Sequence, residues 1–371
     1  NKVPKNNNPN MIVVNSRFLT QRITGVQRFS IELSLQIKKK LGCQVLFVSP
    51  PNILHNDLAE ILEAKAIGTR TGHAWEQLDL PCFLNRTGKP LLLCMGNTAP
   101  VMYRNKVSIL HDVTFLRYPK TFSKKFLMYY RLVIPWVLRT SRHVFTVSKF
   151  SLEEIVSSYK INRHKLSVVY NAVNPIFEHI EDEVLNADKY LFAVSSIKEN
   201  KNFGIAVNAF KIVQKQIPDL KLYIMGDMSA DSFRNMGRLI DECKKDSNIK
   251  LLGRVSDSDL IRYYSNAIAF IFPSLYEGFG IPVLEAQACG CPVVSSNSSS
   301  LPEILGDSAL MCNPNSAEEF AGAIIKLVNH QSLKEELVSK GYENVKRFSW
   351  EKSAEELLRY CLLYTSPSPR D

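Results

Sequence analysis

Short β-rich runs alternate with helix-like segments along nearly the whole chain, and this alternation restricts the fold more than any other feature. In the first half the runs are MIVV (11–14), QVLFVS (44–49), PLLLCM (90–95), KVSIL (106–110), HVFTVS (143–148) and LSVVY (166–170). Helical patterns separate them at 25–40, 122–141 and 149–159. Asn171–Asp188, which contains NAVNP and a charged run, lacks periodicity and reads as a linker. The pattern then restarts with YLFAVSS (190–196), KLYIMGD (221–227), IKLLGRV (249–255), IAFIFPS (268–274) and CPVVSSN (291–297), with helices expected near 202–217, 231–245 and over DSDLIRYYSNA (257–267). Parallel strands need long crossovers, usually helices. The sequence therefore predicts an α/β protein of two doubly wound, Rossmann-like domains, 11–175 and 186–345, facing a central cleft. Ligands of such sheets bind beyond the carboxyl ends of the strands, so that cleft is the expected site.

Composition supports this reading. At 371 residues the chain is too long for one ordinary core. It is 45% hydrophobic and 22% charged, a globular balance. No apolar run reaches the ~18–20 residues that span a bilayer. The net charge of +10 is uneven, because residues 1–180 carry +15 and residues 181–371 carry −5. The first half is thus expected to meet an anionic partner: a membrane surface, a phosphorylated ligand or nucleic acid. No basic run interleaved with aromatics suggests nucleic-acid binding, so none is expected. None of the eight cysteines forms a C-x-x-C pair, so buried reduced thiols in a cytoplasmic protein are expected. Residues 1–10 (NKVPKNNNPN) are polar and show no signal-peptide pattern. Residues 361–371 (CLLYTSPSPRD) resemble the translation of a sequencing adapter. Both ends are expected to lie outside the fold.

The most informative segment is PSLYEGFGIPVLEAQACGCPVV (273–294). A strand ends at Pro273–Ser274, a loop carries Glu277, Gly278, Phe279 and Gly280, and a helix begins near Ile281–Pro282. Proline suits a first helical turn. Glycines let backbone approach a ligand, and free N–H groups at a helix start favour anions such as a diphosphate. Glu277 and Glu285 lie eight residues apart, and a carboxylate can accept two hydrogen bonds from a vicinal diol. Spacing alone fits a strand–turn–helix with two solvated glutamates equally well.

This segment resembles the Glu-x7-Glu signature of retaining glycosyltransferase family 4, whose fold is GT-B. The resemblance runs from about Met11 to Tyr360. It includes TGVQRF (24–29), SILHDVTFLRYP (108–119), FTVSKFS (145–151), VVYNAV (168–173), KENKNFGIAVNAF (198–210), LLGRVSDSDLIRYYSNA (251–267), SSLPEI (299–304) and FSWEKSAEELL (348–358). Within the family it is most similar to bacterial mannosyl- and related transferases that build surface polysaccharides. The resemblance implies that Glu285 holds the ribose of a nucleotide-sugar and that Glu277 contacts a hydroxyl of the donor sugar. The amides around Phe279, Gly280 and Ile281 then face sugar and diphosphate, and Lys201 neutralises the diphosphate, whose growing charge is the main demand of the reaction. Ser196 stands where many relatives carry an arginine, and Asn200 where some carry a second one. Arg254 and Val255 fall where the family contacts the base through main chain. Gly25 would let backbone approach the donor phosphate. His111 would touch the donor sugar, with catalysis resting on His111, Glu277 and Lys201, while Arg28 and Asp112 are weaker acceptor candidates. By itself, a lone histidine at a strand end reads as structural. A helix at 349–360 is expected to cross back to the N-terminal domain.

Asp257-Ser258-Asp259 looks like a metal-binding Asp-x-Asp, but Asp and Ser are ordinary helix caps there. No metal and no cofactor are expected. The resulting expectation is a metal-independent hexosyltransferase, with mannose from GDP-mannose as first guess, acting on a glycan or lipid-linked acceptor. A GT-B nucleotide-sugar epimerase and a non-catalytic polysaccharide-assembly protein are the alternatives. Segment 122–141 carries Lys124, Lys125, Arg131 and Arg139 among aromatic and aliphatic residues, so peripheral association with the inner face of a membrane is also expected.

Overall fold

The computed structural model describes residues 11–181, 188–194, 198–226 and 230–363. The chain divides into two compact units. The first comprises Asn1–Val113, Phe122–Asn171 and Ser349–Asp371, and the second Thr114–Thr121 and Ala172–Phe348. Segment 114–121 therefore belongs with the second unit rather than with the expected 11–175 domain. Inside that unit the Tyr118 ring lies 6.0 Å from the Tyr276 ring.

Among the described residues the first unit holds a seven-stranded sheet in the order β3-β2-β1-β4-β5-β6-β7. The strands are β1 (Ile12–Asn15), β2 (Val45–Ser49), β3 (Lys65–Ala66), β4 (Leu91–Cys94), β5 (Lys106–Ile109), β6 (His143–Thr146) and β7 (Leu166–Val168). Every pairing is parallel; β1, for instance, sets Ile12 beside both Val45 and Leu91. Parallel sheets are covered on both faces, which is why β1 and β4 are buried at every position. Helix Gly25–Leu41 opens on a Thr24–Gln27 capping box, buries Phe29, Leu33 and Ile37, and ends on Lys38–Lys40, where cations suit the carboxyl end.

The second unit holds six parallel strands in the order β10-β9-β8-β11-β12-β13. They are β8 (Tyr190–Val194), β9 (Lys221–Met225), β10 (Ile249–Gly253), β11 (Ala269–Phe272), β12 (Val293–Ser296) and β13 (Leu310–Cys312). Two doubly wound sheets are thus present. In each, the chain order reverses beside the founding strand, between β1 and β4 and between β8 and β11. Such reversals open a crevice at the carboxyl ends of the two strands.

β3 and β13 were not expected from the sequence. β3 is two residues long and exposed, and β13 covers an edge, so neither carries a long apolar run. Two further expectations need correction. Helix Trp350–Leu363 continues through Cys361, Leu362 and Leu363, and Cys361 is fully buried, so the fold does not stop at Tyr360. That helix lies in the first unit, with Trp350 5.7 Å from Phe29 and Tyr360 stacked 4.3 Å from His143. The cysteines are all free, but Cys43 and Cys82 are exposed rather than buried. Residues 1–10 and 364–371 lie outside the described residues.

Candidate active site

In the second unit the two elements that meet at the β8/β11 reversal carry opposite charges. After β8 the turn Glu199–Lys201 leads into helix Phe203–Gln214. After β11 the loop 273–280 leads into helix Ile281–Ala288. The Lys201 ammonium bonds both oxygens of Glu277, at 2.6 and 2.8 Å. Ser274 donates its hydroxyl to the Glu277 Oε1 at 2.7 Å. Glu277 is only 8% exposed. Side chains 76 positions apart in sequence are therefore held as one charge-compensated group.

A second strand end fixes the loop that carries Glu277. Ser296, the last residue of β12, donates to the Ser274 carbonyl. Ser298 donates to the same carbonyl at 2.9 Å. The Glu277 N–H donates to Ser299 Oγ at 3.0 Å. Ser300 donates to the carbonyls of Glu277 and Phe279, each at 3.0 Å. Ser299 occupies the left-handed region at φ +55°, an uncommon conformation for serine. These serines were not singled out from the sequence. Ser299 and Ser300 open the SSLPEI segment of the resemblance, which gave them no role, and a run of Ser after a strand end is otherwise an ordinary loop.

Asn200 is buried beneath the same loop. It donates Nδ2 to the Tyr276 carbonyl at 3.2 Å, and its own carbonyl accepts the Leu275 N–H at 2.8 Å. Its Oδ1 has no hydrogen-bond partner among the described residues. Gly280 starts helix Ile281–Ala288 at φ +95°, and a Cβ there would come within 2.9 Å of Leu301 Cδ2. The turn therefore requires glycine twice over. Gly278 is buried beside it. The Phe279 ring packs edge-on against Phe348 at 5.5 Å, so this residue can offer a ligand only its backbone. Ile281, the first helical residue, is half-buried.

Glu285 lies one turn into that helix and is 7% exposed. Burial first, and then the Glu285 charge, hold the Tyr264 phenol well above its usual value. Glu285 thus sits beside Tyr264 rather than projecting into open solvent. Arg254 and Val255 follow β10 at the sheet edge, Arg254 exposed and Val255 half-buried. Ser196 lies outside the described residues. Asp257 and Asp259 occupy the first turn of helix Asp257–Asn266, and Ser256 caps it by accepting the Asp259 N–H. Among the described residues no cluster of three His, Cys, Asp or Glu side chains could hold a metal ion.

The first unit supplies a separate set. His111 follows β5 and is buried. Its Nε2 lies 2.9 Å from the Met95 carbonyl, which can only accept, so the proton resides on Nε2 and Nδ1 carries the lone pair. Burial lowers its pKa against the opposing pull of the Met95 carbonyl and Asp112, and the ring is neutral near pH 7. The His111 N–H donates to Asn97 Oδ1 at 2.8 Å, and Phe29 packs edge-on against the ring at 4.7 Å. Asp112 and Arg28 are half-buried, Arg28 in the first turn of its helix. Gly25 is exposed, and a Cβ added there would meet nothing within 4 Å.

Beside these lies a buried network that the sequence did not reveal. Glu76, 1% exposed, accepts from Asn15 Nδ2 at 2.9 Å and from Thr98 Oγ1 at 2.7 Å. Arg17 lies 3.4 Å from it and donates to Thr98 at 3.0 Å. Burial alone would raise the Glu76 pKa. The Arg17 charge, together with bonds from His73 and Thr98, outweighs burial and brings it down to about 2. The network ties the loop after β1 to the loop after β4, at the reversal point of the first sheet.

Comparison with known proteins agrees with this fold. A family model described as glycosyltransferase family 4 matches residues 90–176, and one described as glycosyl transferases group 1 matches residues 176–344. The O-antigen chain mannosyltransferase B of Escherichia coli is 26% identical over 264 residues, 68% of each chain. The O-antigen chain mannosyltransferase RfbU of Salmonella typhimurium is 28% identical over 288 residues, 77% of each. The crystal structure of Anabaena HepE, solved with UDP and glucose, superposes with a TM-score of 0.72 at 16% identity, covering 95% of this chain and 98% of that one. The two parallel sheets, the two consecutive family matches and the similarity to named glycosyltransferases converge on one conclusion: the chain is a glycosyltransferase with the GT-B fold.

Proposed function

We propose that this enzyme moves a hexose, with retention, from a nucleoside diphosphate to a hydroxyl of a glycan or lipid-linked acceptor in surface-polysaccharide synthesis. Mannose from GDP-mannose is the donor to test first, because both bacterial relatives above are named mannosyltransferases. The observation that carries the reading is the Lys201–Glu277 pair, braced by Ser274 at the reversal point of the second sheet. An ammonium has three N–H donors, and Glu277 engages it with two oxygens. On donor arrival, Lys201 shares its charge between Glu277 and a diphosphate oxygen. Glu277 then accepts from a hydroxyl of the sugar, and Glu285 accepts from the ribose. The backbone at Gly25 and at Phe279–Ile281 approaches the diphosphate and sugar, and main chain at Arg254–Val255 meets the base. The unpartnered Asn200 Oδ1 is an acceptor close to the same loop.

The bond from the anomeric carbon to the phosphate oxygen breaks, and the acceptor oxygen bonds to the same face. The departing phosphate oxygen takes the acceptor proton. His111, protonated on Nε2, offers only Nδ1 to a sugar hydroxyl and therefore orients rather than donates. Arg28 and Asp112 serve the acceptor. No metal takes part.

We further propose that the enzyme works at an anionic membrane surface. Among the described residues no helix is long and apolar enough to cross a membrane. Helix Lys124–Thr140, however, buries Tyr130, Val133, Ile134, Val137 and Leu138 and leaves Met128, Leu132 and Trp136 exposed. Lys124, Lys125, Arg131 and Arg139 are exposed beside them. Apolar side chains flanked by cations suit a headgroup plane, at about 1 kcal/mol per cation.

The test is a panel of nucleotide-sugars, including GDP-mannose and UDP-glucose, incubated with and without EDTA and scored for release of free nucleotide. Release from one donor, unchanged by EDTA, is expected. No release from any donor, conversion of a donor to its epimer, or a complete Mg²⁺-reversible loss refutes the transfer reading. Co-sedimentation with anionic but not neutral vesicles, lost at ~0.5 M salt, is expected of the membrane reading. Equal binding to both vesicle types refutes it.

A further inference from the structure

One pocket of the first unit lies at the end of helix Lys124–Thr140, away from the residues assigned to the transfer reaction. It has a volume of about 510 Å³, within the ~300–1,000 Å³ range of small-molecule sites. Residues just before β4, β5 and β6 line it, at the amino ends of the strands, together with the end of helix Lys124–Thr140. Sheets of this kind take their substrates at the carboxyl ends. The transfer reaction therefore leaves this pocket without a role.

Its chemistry is one-sided. Lys89, Arg104 and Arg142 line it, and no carboxylate does. Beneath them Lys106 is fully buried, its ammonium donating to the Tyr103 carbonyl at 2.6 Å and to Thr140 Oγ1 at 2.7 Å. Burial, and then the Lys165 and Arg104 charges, bring the Lys106 pKa down to about 8 against an opposing pull from Cys94. A nearby anion would relieve this repulsion. The carboxyl end of helix Lys124–Thr140 opposes an anion, but it counts for only about half a charge against three or four cations.

The pocket also adjoins exposed apolar surface. Met128, Leu132, Trp136 and Thr140 follow one another at four-residue steps, so they form a single stripe along the helix. Thr140 both donates to the Trp136 carbonyl and lines the pocket. Met102, another lining residue, is 86% exposed.

We propose that this pocket binds the phosphate of an anionic lipid headgroup, held by Lys89, Arg104 and Arg142 while Met102 and the Met128–Leu132–Trp136 stripe meet the acyl region. The proposal deepens the membrane reading and rests on it for the source of the phosphate. Monomeric dihexanoyl phosphatidylglycerol, kept below its micelle concentration, tests the pocket without a bilayer. Saturable binding is expected, weakened about tenfold or more in Arg104→Gln/Arg142→Gln, since two charge-assisted bonds to the phosphate are lost. Lys124→Gln/Lys125→Gln, with the same charge change outside the pocket, should bind the monomer like the parent. Glycosyl transfer to a water-soluble acceptor should be unchanged in both variants. Absence of monomer binding, an equal loss in both variants, or a parallel loss of transfer overturns the proposal. Inorganic phosphate binding as tightly as the lipid also overturns it and makes the ligand a free phosphate. Co-sedimentation with anionic vesicles is measured separately. If it persists while monomer binding is absent, the pocket fails and the membrane reading stands.

Discussion

Replacing Lys201 with methionine removes the ammonium and keeps most of the stem's volume. The partner left behind is Glu277, whose side chain is 10% exposed, while that of Lys201 is 21% exposed. At an effective dielectric of 20, unit charges 4 Å apart attract by roughly 4 kcal/mol, and breaking a buried pair costs about 3–5 kcal/mol because one charge stays unpaired. Two features reduce that figure here. Residual exposure lets water reach the pair, and Ser274 still donates to Glu277. We expect Lys201→Met to destabilise by about 2–3 kcal/mol, and Glu277→Gln by a similar amount. Lys201→Met/Glu277→Gln leaves no orphaned charge, so it should cost at least ~1 kcal/mol less than the sum of the singles. Urea unfolding of the three variants, followed by a signal from the second unit, measures this coupling. Nucleotide release should fall in all three variants, because neutralising the pair does not restore a cation for the diphosphate. Additive stabilities would show that the two side chains are not energetically coupled. Recovery of activity in the double variant would show that the pair serves the fold alone.

Glu285→Ala should weaken donor binding about 10- to 100-fold while the fold survives, because charge-assisted bonds to the ribose are lost; calorimetry showing unchanged affinity would remove the ribose role. Gly25→Ala should leave the melting temperature unchanged or slightly raised, since nothing lies within 4 Å of the added Cβ and alanine favours a helix, yet donor affinity should drop about tenfold; full affinity would show that no ligand approaches there. Glu76 has a folded pKa near 2, depressed from 4.5, so its contribution of about 3 kcal/mol is complete above pH 4.5 and disappears as pH falls through 2. Unfolding midpoints should therefore fall between pH 5 and 2.5 more steeply in the parent than in Glu76→Gln, and equal slopes would refute the network's electrostatic role.

Most strands were legible because covered parallel strands must be apolar throughout. IVVN, LLLC and AFIF announce themselves without knowledge of their neighbours. The two exceptions show the limit of that logic, since a two-residue edge strand and the short β13 bury too little to leave a pattern. The carboxylate loop 277–280 was legible for a related reason. Gly280 and Pro282 constrain backbone locally, and local constraints are written in local sequence.

Pairing across the sheet was not legible. No rule of spacing joins Lys201 to Glu277, Asn15 and Arg17 to Glu76, or Ser298–Ser300 to the loop from Ser274 to Phe279. Those contacts exist because parallel strands bring their carboxyl ends side by side, however far apart they lie in the chain. The partition of the chain was also a tertiary outcome, since segment 114–121 clusters with the second unit and the terminal helix with the first. The sequence by itself determined two parallel sheets and the loops that bear chemistry. Only the tertiary structure decided which charge faces which, because burial and distance set the strength of an ion pair and neither is a property of a residue alone.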